Sequence, residues 1–156
     1  MEKKLEIGSG NKPREGYIHF DIRKIDGVDF IGDARKLPFD EGEFSEVYSR
    51  FFLEHLNRND ASLVLKEMYR VLAKNGLLQI IVPNIAYFCK VFIEESGQKK
   101  EWALNKIYGF ENYKEDHHYY GYDEETLTKL LKEIGFAIIK RENAEDQYLH
   151  MTARKV

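Results

Sequence analysis

Apolar runs and amphipathic stretches alternate along this chain from one end to the other. Short runs of alternating or continuous apolar residues predict strands at Lys4–Ile7, Tyr17–Phe20, Val28–Ile31, Glu46–Ser49, Leu77–Val82, Ala137–Arg141 and Tyr148–Ala153. Leu77 to Val82 is almost wholly apolar, as a central strand covered on both faces should be. The last strand instead alternates, with Leu149, Met151 and Ala153 on one side and Tyr148, His150 and Thr152 on the other, which places it near a sheet edge.

Between the strands the period changes to that of helices. After Asn59-Asp60, the apolar positions Ala61, Val64, Leu65, Met68, Val71 and Leu72 define one helix, with Asn75-Gly76 as its stop signal. After Pro83-Asn84, Ile85, Phe88, Val91 and Phe92 mark a second. A third opens on Asp123 as N-cap, with Glu124 and Glu125 in its first turn. It buries Leu127, Leu130, Leu131 and Ile134 and stops at Gly135. Such alternation predicts an α/β fold around a mostly parallel sheet.

Residues 97–122 break the pattern. They are weakly periodic and rich in rings (Trp102, Tyr108, Phe110, Tyr113, Tyr119, Tyr120 and Tyr122) and contain the pair His117-His118. This segment reads as an insertion over the carboxyl ends of the strands, where α/β folds bind ligands. A satellite core or a contact in a homodimer would use the same aromatics.

The chain has 156 residues, enough for a single domain with one core spanning residues 1–156. Its net charge of -3 argues against a protein built to neutralise nucleic-acid phosphates. One cysteine, Cys89, falls in an apolar helical pattern and is expected to be buried and structural. No run approaches membrane-spanning length and MEKKLEIG is no secretory leader, so a cytoplasmic location is expected.

Candidate chemistry gathers at the predicted strand ends. Glu6-x-Gly8-Ser9-Gly10 is a turn in which glycine lets backbone approach a ligand closely. Asp21, closing the second strand, could accept from both hydroxyls of a ribose. Asp33-Ala34 follows the third strand, and the fourth runs into Phe51-Phe52-Leu53-Glu54-His55. Each feature alone would suit an ordinary turn, strand end or core, as Leu37, Phe39, Phe44 and Val47 do. Their joint order is what points to a nucleoside-containing ligand. Residues 11–20 are all that separate Gly10 from Asp21, too few for the usual crossover helix plus a strand. Pro13 stands where a dinucleotide fingerprint needs its third glycine.

The run GDARKLPFDEGEFSEVYSRFFLEHL, followed by LKEMYRVLAKNGLLQIIVPN, resembles the class I S-adenosylmethionine-dependent methyltransferases, especially their small type 11 group. The similarity is specific from Leu5 to about Pro83 and continues loosely through YDEETLTKLLKEIGF. It implies a Rossmann-like sandwich whose seven-stranded, mostly parallel sheet has one antiparallel strand. In this chain the first helix is expected to be shortened and the N-terminal helix to be missing. It also implies S-adenosyl-L-methionine as methyl donor and a small-molecule acceptor. Donor-binding positions would be Glu6, Gly8, Ser9, Gly10, Asp21, Ile22, Asp33, Ala34, Ser49, Phe52 and His55. Glu6 would bond near the donor's amino group, Asp21 the ribose hydroxyls, and Asp33 with the Ala34 N–H the adenine. The Ser49 carbonyl would meet the methionine ammonium, and Phe52 would flank the donor. His118 matches a histidine that precedes the last helix in related enzymes and is the candidate general base, with a surface histidine or a hydrogen-bonded loop staple as the more ordinary role for it. No metal is expected, because no third ligand accompanies His117-His118 at a recognisable spacing. Two alternatives share the fold: a non-catalytic binding or scaffold module, and an aminopropyl transferase. The latter lacks an evident acidic cluster for a polyamine.

Overall fold

A computed structural model describes residues 2–110, 112, 114–142 and 146–156; Tyr113 of the aromatic segment lies outside them. Seven strands form one sheet: β1 (Lys4–Ile7), β2 (Ile18–Asp21), β3 (Phe30–Ile31), β4 (Phe44–Arg50), β5 (Leu72–Pro83), β6 (Phe136–Glu142) and β7 (Tyr148–Lys155). Their order is β3-β2-β1-β4-β5-β7-β6. All run parallel except β7, which is antiparallel to both neighbours. The expected single antiparallel strand is therefore β7, one place in from the edge.

Among the described residues, four α-helices accompany the sheet: α1 (Arg58–Val71), α2 (Ile85–Glu94), α3 (Gly97–Tyr108) and α4 (Glu124–Ile134). Helix α1 starts on Asn57, whose side chain accepts the Asp60 N–H at 3.0 Å, and buries Ala61, Val64, Leu65, Met68 and Val71. That stripe meets Leu5, Ile7, Phe20, Val47, Leu78 and Ile80 of the sheet and Leu127 and Leu131 of α4 in one core. Helix α4 has the expected ends, a reciprocal Asp123–Thr126 capping box and Gly135 at φ 117°.

Three expectations need correcting. Helix α1 ends at Val71, four residues before Asn75-Gly76. Leu72 is already extended and pairs with Phe44, so the left-handed Asn75 (φ 64°) bends the start of β5 beside a bulge rather than ending a helix. The weakly periodic segment 97–122, to which the sequence pattern assigns no helix, begins with a regular helix, α3, which packs on α2 through Phe88 and Trp102, ring centroids 5.3 Å apart. Cys89 is exposed. Helix α2 buries only Phe88 fully, and the next residue along a helix points about 100° away from it.

The opposite sheet face is polar. Lys4, Glu6, His19, Glu46, Tyr48, Gln79, His150 and Thr152 share it by strand alternation and register. They are joined side chain to side chain: Tyr17 donates to Glu46, Gln79 to Glu46 at 2.6 Å, and His150 meets Gln79 at 3.3 Å. The Arg14 guanidinium lies over the Tyr48 ring at 4.5 Å. No helix joins β1 to β2, or β2 to β3, among the described residues, so bonded polar groups replace an apolar surface there.

Candidate active site

A crevice of about 500 Å3 opens at the carboxyl ends of β1, β2, β3 and β4. Its floor is Ile7 and Gly8. Its walls include Asp21, Ile22 and Arg23 after β2, Asp33, Ala34 and Arg35 after β3, and Phe51, Phe52 and His55 after β4. Lys114, Glu115 and Tyr119 from the aromatic segment close the far side.

The Gly8–Gly10 turn is bound to the strand beside it. The Gly8 N–H donates to the Phe20 carbonyl at 2.8 Å, and the Gly10 N–H to the Asp21 carboxylate at 2.9 Å. Gly8 has φ 71°, and a Cβ there would stand 2.6 Å from the Phe52 ring. Only glycine fits both the backbone angle and that contact.

Two of the crevice carboxylates, Asp21 and Asp33, are each clasped by the arginine two residues on. Asp21 Oδ1 accepts the Arg23 N–H at 2.9 Å and its Nε–H at 3.2 Å. Asp33 Oδ1 accepts the Arg35 N–H at 2.9 Å, while the Arg35 guanidinium spans both carboxylate oxygens. The Arg35 hydrogen bonds hold the Asp33 carboxyl below the usual carboxylate range. The loop after Asp33 is fixed by α1: the Leu37 N–H donates to Glu67 at 2.8 Å, and Arg70 donates to the Phe39 and Leu37 carbonyls at 2.9 and 3.2 Å.

After β4 the chain makes a tight turn in which Phe51 takes φ 51°, an uncommon angle for a bulky residue. The turn swings Phe52 onto Gly8 and starts a short 3-10 helix, Leu53–His55. His55 faces the crevice, with Nδ1 bonded to the His117 carbonyl at 3.1 Å. Burial keeps its imidazole below the ordinary histidine range.

Among the expected donor-binding residues, Gly8, Asp21, Ile22, Asp33, Ala34, Phe52 and His55 line the crevice. Glu6 stands behind the turn, where its carboxylate accepts the Arg14 N–H at 2.7 Å and burial raises its pKa. Gly10 holds Asp21, Ser9 is buried with its hydroxyl unpartnered, and Ser49 is buried on β4. His118 lies one ring behind the wall, its centroid 4.8 Å from that of His55, with Nδ1 bonded to the Lys106 carbonyl at 3.0 Å. Burial pushes its imidazole down to about 4.

Sequence reading missed Arg23, Arg35 and Phe51. The repeated Asp-x-Arg spacing at residues 21–23 and 33–35 was the signal for the first two. It also missed Glu54, beside His55, which is 2% exposed. Burial pushes its carboxyl up to about 8.

Residues 5–80 match the family described as Methyltransferase domain. Over that segment the chain is similar to the methyltransferases. A ubiquinone/menaquinone biosynthesis C-methyltransferase from Neisseria meningitidis is 30% identical over 124 residues, which are 72% of this chain and 47% of that protein. The chain thus spans about half the length of the curated relatives it matches. Among solved structures, a methyltransferase from Thermotoga maritima superposes with TM-score 0.68 at 19% identity, over 100% of this chain and 83% of that one. The 1,6-didemethyltoxoflavin-N1-methyltransferase of Burkholderia thailandensis, solved with S-adenosylhomocysteine, gives 0.65 at 17% identity, over 98% and 70%. Both share the methyltransferase fold with this chain.

Proposed function

We propose that this chain transfers a methyl group from S-adenosyl-L-methionine to a small-molecule acceptor, as a cytoplasmic enzyme. The observation that carries this reading is the convergence of the Cβ-free Gly8 turn, Asp21 and Asp33 on one crevice. Its size falls within the ~300–1,000 Å3 typical of small-molecule sites. The donor fits these residues. Asp21 keeps acceptor capacity for a ribose hydroxyl beyond the bonds it already makes, since a carboxylate has about four lone-pair sites. Asp33 and the Ala34 N–H offer an acceptor and a donor for adenine, and Gly8 gives bare backbone for the chain of the donor.

The donor, when bound, supplies a methyl group already activated by a positive sulfur. The protein's task is to hold an acceptor atom in line with it and keep water out, and alignment of this kind can contribute roughly 7–11 kcal/mol. Phe52, His55 and Tyr119 form walls suited to that exclusion, and their rings and the nearby carboxylates suit a cationic centre. A base role for His118 would run through the His55 ring, because His55 stands between it and the crevice.

One observation favours a second reading, a methyltransferase fold that binds without catalysing: the Phe52 ring lies against Gly8, where backbone would meet the donor. Calorimetry with S-adenosylhomocysteine, paired with transfer of labelled methyl to a small-molecule extract, separates the two. We expect saturable binding that Gly8→Ala abolishes and labelled product from the wild type. Binding without product, or no binding up to millimolar ligand, would support the second reading and overturn methyl transfer.

A further inference from the structure

Three side chains that could each ligate a metal meet behind the crevice wall. Glu54 and His55 come from the short helix after β4, and His118 from the segment that leads into α4. One donor atom from each lies within 4.8 Å of the other two. Both imidazoles are held in the same way, with Nδ1 against a backbone carbonyl: His117 for His55 and Lys106 for His118. A carbonyl only accepts, so Nδ1 carries the proton in each ring and Nε2 keeps its lone pair. Metal-ligating histidines are oriented by such second partners.

The third member is harder to explain without an ion. Glu54 Oε2 is buried and has no hydrogen-bond partner. The nearby Lys106 ammonium lies over the Phe110 and Tyr148 rings at 5.0 and 5.9 Å, and makes no ion pair with it. A void of about 10 Å3 is lined by Glu54 and His118 together with Lys106 and Tyr120, while His55 lines the neighbouring crevice. The void has room for a single small occupant.

We propose that Glu54, His55 and His118 bind one divalent first-row transition ion, with Zn2+ the best match to two imidazoles and a carboxylate. Donors about 2.0–2.2 Å from such an ion lie closer together than 4.8 Å, so binding draws the three side chains inward. The ion would staple the covering segment, through His118, to the turn that carries Phe52. The linear spacing of the chain hides this site, because only one of the adjacent pair His117-His118 takes part.

The test uses untagged full-length chain, freed of metal with a chelator and titrated with Co2+ alone. The site predicts visible d–d absorption saturating at about one equivalent per chain and abolished by Zn2+. Glu54→Gln and His118→Ala should each weaken Co2+ binding by more than about 10-fold. His150→Ala, on the opposite sheet face, should leave it unchanged. His118→Cys keeps a ligand and should add a near-ultraviolet thiolate-to-cobalt band, which holds the test open if the alanine variant fails to fold. Absence of a saturable spectrum in the wild type would overturn the proposal. So would binding indifferent to Glu54→Gln and His118→Ala, or lost in His150→Ala.

Discussion

Replacing Asp21 by alanine is the most direct probe of the donor site. The carboxylate is 5% exposed and accepts from the Gly10 N–H, the Arg23 N–H and the Arg23 side chain. Asp21→Ala therefore does two things. It leaves the two backbone donors without their partner, which should lower stability by about 1–3 kcal/mol. It also removes the one acceptor site left for the ribose. A hydrogen bond to a charged group contributes about 1.5–3 kcal/mol, so the loss should weaken Kd by roughly 10- to 100-fold. Calorimetry with S-adenosylhomocysteine measures the sum, and a thermodynamic cycle separates the parts. An analogue lacking the ribose hydroxyls should bind wild type and Asp21→Ala with nearly equal affinity, whereas S-adenosylhomocysteine should distinguish them by the full factor. If Asp21→Ala weakens both ligands equally, the carboxylate only braces the turn. A Kd for S-adenosylhomocysteine within threefold of wild type would refute the ribose assignment.

Three further substitutions probe the frame. A Cβ at Gly109 would stand 2.0 Å from the Asp116 carbonyl oxygen at φ 93°, so Gly109→Ala should cost at least ~2 kcal/mol and lower Tm by about 5 °C. Gly16→Ala, with φ 84° but nothing within 4 Å, is the control and should cost only ~1 kcal/mol in a thermal melt. Asp123→Ala should cost about 1 kcal/mol at pH 7 through loss of the α4 cap. Thr126 holds the folded Asp123 pKa below its unfolded value of 3.8. Its ionic contribution is thus complete above that value and is lost as pH falls through the lower, folded pKa. Denaturant melts of wild type and Asp123→Ala should converge in that acid window.

The frame was legible because its signals are local. Apolar runs marked all seven strands, and Asp123 and Gly135 marked both ends of α4, since caps and alternation act within a few residues. Asn75-Gly76 misled because a left-handed residue serves a bulge as well as a helix end, and the choice was made by the pairing of Leu72 with Phe44 across 28 residues of chain. Helix α3 was hidden because only Ala103 is fully buried in it, leaving no apolar stripe to read. In the site, Asp21 and Asp33 could be placed from their strand ends. The distance of His118 from the crevice could not, because it depends on how residues 114–123 pack against the turn after β4. Glu54 was overlooked for the same reason: a glutamate beside a turn looks solvated until the fold covers it.

The hydrogen-bonded face of Tyr17, Glu46, Gln79 and His150 bears on how copies of this chain can associate. Stacking two such faces would strip water from charged and amide groups that already have partners, and would return little apolar contact. A self-assembled pair would be driven instead toward the rim of the sheet, where Phe30 and Ile31 of β3 and the neighbouring Ile22 stand uncovered. Because Ile22 is also a wall of the crevice, such pairing would narrow the mouth through which the donor enters.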